Sequence, residues 1–356
     1  MNVPVIDLSS DIPETELVEQ ISKACSEFGF FQVTSHGVPL ELMEEYRKQC
    51  RLYFDLPHDT KLQWKRNDSN ARGFFDDELT KQKRDWKEAL DFGVPGTRDW
   101  SELDDADLNK CLDGWNQLPS KDVLPEYRTV VTRYFDACAR LSDRIAILMA
   151  KGLGQDSDCK IISELRERHS SYLRVNYYPV CNEKAEDGST PLGISPHKDA
   201  GFLTVLLQDD DCHSLQVWKD ENWIKVIPVP GAFTINTGDM AQVWSNGKYK
   251  APLHRVLSNK DKVRYSAPFF YNPSYDTRVE PLDVGNNEPL YHPVLWGYFR
   301  AVRFAGDLTD LGVEIQIEHF LKSMSSEHLR RQDVFATEAD FMTPFSVEKY
   351  RPLLTS

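Results

Sequence analysis

The sequence predicts a mainly β core flanked by helices, and three observations support this. After residue 170, short β-rich runs follow one another: SYLRVNYYP, LTVLLQ, LQVW, WIKVIPV, AFTINTG, LHRVLS and RYSAPFFYNP. Turn residues separate them at close intervals, a pattern of sandwiches and barrels rather than of parallel α/β sheets. On either side of this region, apolar residues recur instead at helical spacing.

Taken in order, Asp11 and Pro13 resemble a helix start. Leu17, Val18, Ile21, Ala24, Cys25 and Phe28 form its apolar face, and Gly29 ends it. A strand is expected in FFQVTSHGVP, then a second amphipathic helix over 41–54 with Leu42, Met43, Tyr46, Cys50, Tyr53 and Phe54 on one face. Residues 65–119 are rich in Asp, Lys, Asn and Trp and read as irregular, with the acidic SELDDADLNK as a solvated loop. A long helix is expected from Asp122 to Lys151, its stripe running from Leu124 through Tyr134, Phe135 and Ile145 to Met149, with Gly152 and Gly154 closing it. The pattern turns helical again in LWGYFRAVRFAG and VEIQIEHFLKS. The chain is thus read as one compact unit: an N-terminal region 1–120, a supporting helix 121–169, a β core 170–280 and a helical region 281–356.

Composition narrows the function. The net charge is −14, and no basic run of useful length offers a phosphate-binding surface, so nucleic acid is not an expected partner. The same acidity disfavours anionic membranes. Seven cysteines, an odd number with no CxxC pair, support neither a thiolate zinc site nor a disulfide framework. The N-terminus lacks a basic-then-apolar leader, and no segment approaches about 18 continuous apolar residues. A cytoplasmic monomer acting on a small molecule is expected.

The chemistry concentrates in ISPHKDAGFLTVLLQD. Residues two apart on a strand share a face, so His197 and Asp199 could present an imidazole and a carboxylate side by side. His254, in KAPLHRVLS on a later strand, supplies a third donor. Two histidines and a carboxylate on one face of a metal leave positions open for a co-substrate and O2, as in non-haem Fe(II) oxygenases. Zinc is the competing metal, although the HExxH of many zinc hydrolases is absent. Ten residues on, Arg264 and Ser266 in VRYSAPFF also share a strand face. A guanidinium with a neighbouring hydroxyl suits the distal carboxylate of 2-oxoglutarate.

These motifs, with PVIDLSS, FGFFQVTSHGVP, RGFF, DWKEALDFG, LRVNYYP and GDMAQVWSNGKYKAPLHRVLSNKDKVRYSAPFF, resemble an Fe(II)/2-oxoglutarate-dependent dioxygenase of the isopenicillin N synthase-like family. That group includes plant flavonoid and gibberellin oxygenases of secondary metabolism, and the likeness spans nearly the whole chain. The resemblance implies a double-stranded β-helix (jelly-roll) core, Fe(II) on His197, Asp199 and His254, and 2-oxoglutarate on Arg264 and Ser266. Tyr178 and Asn176, from NYYP, match positions that also contact the co-substrate. It implies O2 as oxidant, ascorbate as a supporting reductant, and oxidation of an unactivated C–H, by hydroxylation, desaturation or oxidative ring closure, with release of succinate and CO2. HSLQVW departs from the pattern, since relatives often carry Gly before LQV. His213 there, and His36 in SHGVP, are read as non-ligands.

For the substrate, Arg72 in NARGFF, Arg174 on the LRVNYYP strand, and Arg300 and Arg303 near the C-terminus are candidate contacts. Convergence of two of them would favour a carboxylate-bearing metabolite such as an amino-acid derivative. Two other functions stay open on sequence alone: an Fe(II) oxidase that uses no 2-oxoglutarate, and a non-catalytic small-molecule binder.

Overall fold

The computed structural model describes residues 2–67, 70, 72–80, 83–94, 114–167, 169–184, 190–283, 288–300, 303 and 315–323. SELDDADLNK lies outside them, as do parts of both C-terminal helical predictions. The strands in chain order are β1 (Val5–Asp7), β2 (Phe30–Thr34), β3 (Gly73–Phe75), β4 (Leu79–Thr80), β5 (Lys83–Arg84), β6 (Glu88–Gly93) and β7 (Tyr172–Tyr178). They continue with β8 (Leu192–His197), β9 (Leu203–Gln208), β10 (Leu215–Lys219), β11 (Asn222–Lys225), β12 (Phe233–Thr237), β13 (His254–Leu257) and β14 (Arg264–Tyr271). A large sheet runs in the order β1-β2-β12-β9-β14-β7-β6-β3, and a smaller one in the order β11-β10-β13-β8. Apart from the parallel β1–β2 pair, every ladder in these two sheets is antiparallel. Strands distant in sequence lie side by side in both sheets, which is the crossed wiring of a jelly roll.

The helices follow from their apolar periodicity. Helix Glu14–Glu27 starts behind Pro13, carries Glu14 and Glu16 in its first turn, and buries Leu17, Ile21, Ala24 and Cys25. Early acidic residues suit the positive end of the helix dipole. Gly29, at φ 66°, stops it, and its N–H bonds back to the Ala24 carbonyl. A side chain at Gly29 would collide with the Lys250 carbonyl, so the position accepts only glycine.

Helix Leu40–Phe54 and the long helix Tyr127–Gly152 pack against each other through stacked Tyr46 and Tyr134 rings, 3.8 Å apart. Phe135 meets Phe269 of β14 edge-on at 4.9 Å, fastening the long helix to the sheet behind the site. Each fully buried aromatic or aliphatic side chain of this kind contributes about 1.5–3 kcal/mol through the apolar area it removes from water. Truncating Ile145, which is fully buried in the long helix, would cost about 2–5 kcal/mol.

Two expectations need correction. Residues 65–119 are not irregular throughout, because β3 and β6 extend the large sheet beyond β7. Nearly every β6 residue is buried, including Asp91, whose charge is answered inside the protein, so no alternation of polar and apolar residues marks the strand. In VEIQIEHFLKS the described part is a short 3-10 turn, Ile317–Phe320, rather than a helix. Gln316 and His319 cap it reciprocally. In the earlier LWGYFRAVRFAG, the described part is helical over 296–300.

Candidate active site

β8 and β13 are neighbours in the small sheet, and their register sets His197 opposite His254. Asp199 lies two residues beyond the end of β8, so a turn rather than a shared strand face brings it to the histidines. Its Oδ1 stands 3.7 Å from His197 Nε2 and 3.5 Å from His254 Nε2. The three ligand atoms lie within 4.8 Å of one another, and this is the one such group found among the described residues.

Hydrogen bonds fix which atoms face inward. His197 Nδ1 donates to the Ser195 carbonyl at 2.8 Å, and His254 Nδ1 donates to the Pro252 carbonyl at 3.0 Å. A carbonyl can only accept, so each ring carries its proton on Nδ1 and offers the Nε2 lone pair to the cluster. Asp199 Oδ2 accepts from Thr204 Oγ1 at 2.6 Å and from Asn236 Nδ2 at 2.7 Å. Thr204 and Asn236 are register partners across β9 and β12, a rigid shelf that turns Oδ1 toward the imidazoles.

Electrostatics prepare the same set. Burial and the neighbouring His254 push His197 down to about 3, so it is neutral and ligand-ready at neutral pH. Burial opposes ionisation of Asp199, but His254, His197 and its two hydrogen-bond donors hold the carboxyl below the usual range. Two imidazoles that turn Nε2 inward and one carboxylate on a common focus form a donor set for a divalent transition metal.

Beside this cluster, β14 runs between β7 and β9. Register sets Arg264 opposite Tyr178 and Ser266 opposite Asn176, gathering all four sequence-predicted residues at one end of the cavity. Arg264 is 1% exposed and donates through Nη2 to Gln208 Oε1 at 3.1 Å, while Nε and Nη1 meet no partner. Gln208 is itself oriented by donating to Thr234 Oγ1. No carboxylate of the described residues lies within ion-pair distance of Arg264. A buried guanidinium in that condition fits an anionic group of the cavity's occupant.

The substrate-side arginines take different places. Arg174 lines the cavity, but Asp91 receives its Nε and Nη2 at 2.8 and 2.9 Å, and Glu78 receives Nη1 at 2.9 and 3.1 Å. Lys87 extends the network with bonds to Glu78 at 2.5 Å and Asp85 at 2.9 Å. Burial works against the Glu78 charge, yet Arg174 and Lys87 bring its carboxyl down to about 2. Arg300 lines the cavity with its guanidinium 4.4 Å from the Tyr172 ring, and Arg72 approaches that ring at 5.0 Å from outside the lining. Arg303 donates to the carbonyls of Lys198 at 3.1 Å and Ile315 at 2.8 Å. His213 is exposed, and His36 is tied to Gly231 and Val38 away from the cluster.

Sequence reading missed Thr204, Asn236, Gln208 and the Glu78–Lys87 network. The first three sit on predicted strands, where positions facing the HxD turn were open to inspection. The network carried no such signal.

Residues 169–273 match the family model described as the 2OG-Fe(II) oxygenase superfamily, and residues 3–121 match that of the non-haem dioxygenase in morphine synthesis N-terminal region. Jasmonate-induced oxygenase 2 of Arabidopsis thaliana is 36% identical over 308 residues, 84% of this chain and 78% of that protein. The chain belongs to the 2OG-Fe(II) oxygenase superfamily. Homoarginine-6-hydroxylase 2-ODD-C23 of Glycine max is 34% identical over 301 residues, 80% of this chain and 89% of that protein. A crystal structure of JOX2 in complex with 2OG, Fe and JA matches with a TM-score of 0.70 at 35% identity, covering 84% of each chain. The two sheets are therefore a family jelly roll. The chain is an Fe(II)- and 2-oxoglutarate-dependent oxygenase that uses O2 to oxidise a small metabolite.

Proposed function

We propose that this oxygenase hydroxylates a small carboxylate-bearing metabolite, with Fe(II) on His197, Asp199 and His254 and the distal carboxylate of 2-oxoglutarate on Arg264 and Ser266. The observation that carries the co-substrate assignment is the buried Arg264 guanidinium with two unpartnered nitrogens. A dianion supplies the charge that burial there requires. Tyr178, whose hydroxyl is 3.5 Å from Ser266 Oγ, and Asn176 complete that end. With iron and 2-oxoglutarate bound, the centre supplies oxidation of an unactivated C–H by O2, releasing succinate and CO2. The chain's own part is orientation and exclusion of water, to which Phe30, Leu206, Leu215 and Val256 contribute an apolar wall.

The substrate class rests on the Tyr172 ring, which has the guanidinium groups of Arg300, Arg72 and Arg174 at 4.4, 5.0 and 5.9 Å. Arg174 is neutralised by Asp91 and Glu78, and the substrate carboxylate is assigned to Arg300 because its guanidinium lines the cavity beside the Tyr172 ring. Relatives named homoarginine-6-hydroxylase, whose substrate is an amino acid, support an acid-bearing substrate. The reading extends to a cytosolic monomer without nucleic-acid or membrane partners, supported by the net charge of −14. Among the described residues, no helix is long and apolar enough to cross a membrane.

Succinate release from 2-oxoglutarate by the purified protein with Fe(II), ascorbate and air tests the reading. It is run alone and against pools of amino-acid derivatives, terpenoid acids and neutral phenolics, with His197→Ala as control. Succinate rising with an acid-bearing pool, and lost in the control, supports the assignment. A response confined to neutral phenolics overturns the carboxylate assignment.

A further inference from the structure

We propose that Arg303 is a positioning residue for the metal-binding turn rather than a substrate contact. The proposal rests on His197, Asp199 and His254 being the metal ligands. Lys198 separates two of those ligands, and both its backbone and its side chain are gripped from the C-terminal segment. Its carbonyl accepts Arg303 Nη2 at 3.1 Å, while Arg303 Nη1 reaches the Ile315 carbonyl at 2.8 Å. Its Nζ binds Glu318 Oε1 at 2.5 Å, just beyond Ile315. One planar guanidinium thus bridges two backbone segments, and an ion pair closes the loop between the same segments.

The turn has further backbone anchors, among them the Gly201 carbonyl, which accepts the Met240 N–H at 3.0 Å. The Asp199 carbonyl accepts the Asp239 N–H at 2.8 Å. Gly238 leaves no room there for a methyl group, which would run into the carbonyls of Gly201 and Asp199. The peptide joining Lys198 to Asp199 is therefore held by Arg303 on one carbonyl and by Asp239 on the next. Rotation of that peptide would swing Asp199 Oδ1 away from the two Nε2 atoms. Ligand atoms must hold their places to within about 0.5 Å for a metal to bind well. A lysine could not replace the fork, since an ammonium does not present two parallel donors in fixed geometry. Arg303 is 6% exposed, and these two bonds end on backbone carbonyls, an arrangement suited to support.

The test is Co(II) binding to the metal-free protein without 2-oxoglutarate, followed by equilibrium titration and the visible d–d spectrum of bound cobalt. Arg303→Met is expected to weaken Co(II) affinity about 10–100-fold, the range for groups that orient ligands, and to alter the d–d bands. Arg303→Lys should recover only a small part of that loss, and circular dichroism should match the parent protein. Glu318→Gln, at a half-exposed position, should show a smaller loss and serves if Arg303→Met does not fold. Unchanged cobalt affinity and spectrum in a folded Arg303→Met, or in Glu318→Gln where that variant stands in, overturns the proposal. So does an effect confined to the substrate KM. His254→Ala separates the two levels: if it binds Co(II) as the parent does, the ligand assignment itself has failed.

Discussion

His254 faces His197 as its register partner across the β8–β13 ladder, with the ring centroids 4.3 Å apart. The separation of the two imidazoles is therefore set by backbone hydrogen bonding between strands. Only Asp199 comes from a turn, so its supports are the vulnerable part of the cluster. Thr204→Val removes the 2.6 Å bond to Oδ2 while keeping the side-chain shape. The expected result is metal affinity reduced about 10–100-fold, measured by Co(II) titration. Parent-like affinity would refute the role given to Thr204.

Arg264→Gln should raise the KM for 2-oxoglutarate about 10–100-fold, corresponding to loss of a charge-assisted hydrogen-bonded pair of about 1.5–3 kcal/mol. Rates at saturating co-substrate should fall much less. Initial-rate measurements over a range of 2-oxoglutarate concentrations decide it. An unaltered KM would remove the residue from the co-substrate site.

The metal-free protein should lose stability as the solution is acidified from about pH 6.5 toward 3. His197 binds a proton near its ordinary value of 6.5 when unfolded, but only near 3 when folded. In that window the unfolded chain holds more protons, so stability rises with pH and falls on acidification. His197 keeps 19% side-chain exposure, so its share of the slope stays below the single-proton limit of about 1.4 kcal/mol per pH unit. His36 and His169, also pushed down by burial, act in the same direction. Urea unfolding at pH 7, 6 and 5 should show falling midpoints, with a shallower trend in His197→Gln. Equal slopes in the two proteins would count against the His197 contribution.

Glu78→Gln should destabilise the fold by roughly 3 kcal/mol, because it removes the carboxylate shared by buried Lys87 and Arg174. Pairing it with Lys87→Met should restore part of the loss. Chemical denaturation of the single and double variants provides the comparison. A neutral single variant would show that Asp85 and Asp91 balance the two cations unaided.

What was legible in the sequence was whatever fell within a few adjoining residues or along one helix face. HxD, RxS and the long helix stripe each declare themselves within a few residues, and Arg264 and Ser266 do share a face of β14. By contrast, the opposition of His197 and His254 comes from the β8–β13 register, which no local pattern encodes. Arg174 likewise meets Asp91 and Glu78 across 83 and 96 residues of sequence, and no local pattern encodes those pairs. Glu78, Asp85, Lys87 and Asp91 fell in the stretch read as irregular, and charged residues are seldom as buried as these. Their burial is also what concealed β6. Arg303, read as a substrate contact, does line the cavity, and two of its donors end on the Lys198 and Ile315 carbonyls, which no local pattern announces.

The enclosure of Arg174 by Asp91 and Glu78 also bears on how such a scaffold could change its preferences. The cation already stands in the cavity wall, silenced by neighbours on β6 and just before β4. Replacing both neighbours would leave that guanidinium to the occupant, whereas replacing one leaves the other carboxylate paired with it. Substrate-charge selectivity is thus held here as a latent trait behind two carboxylates.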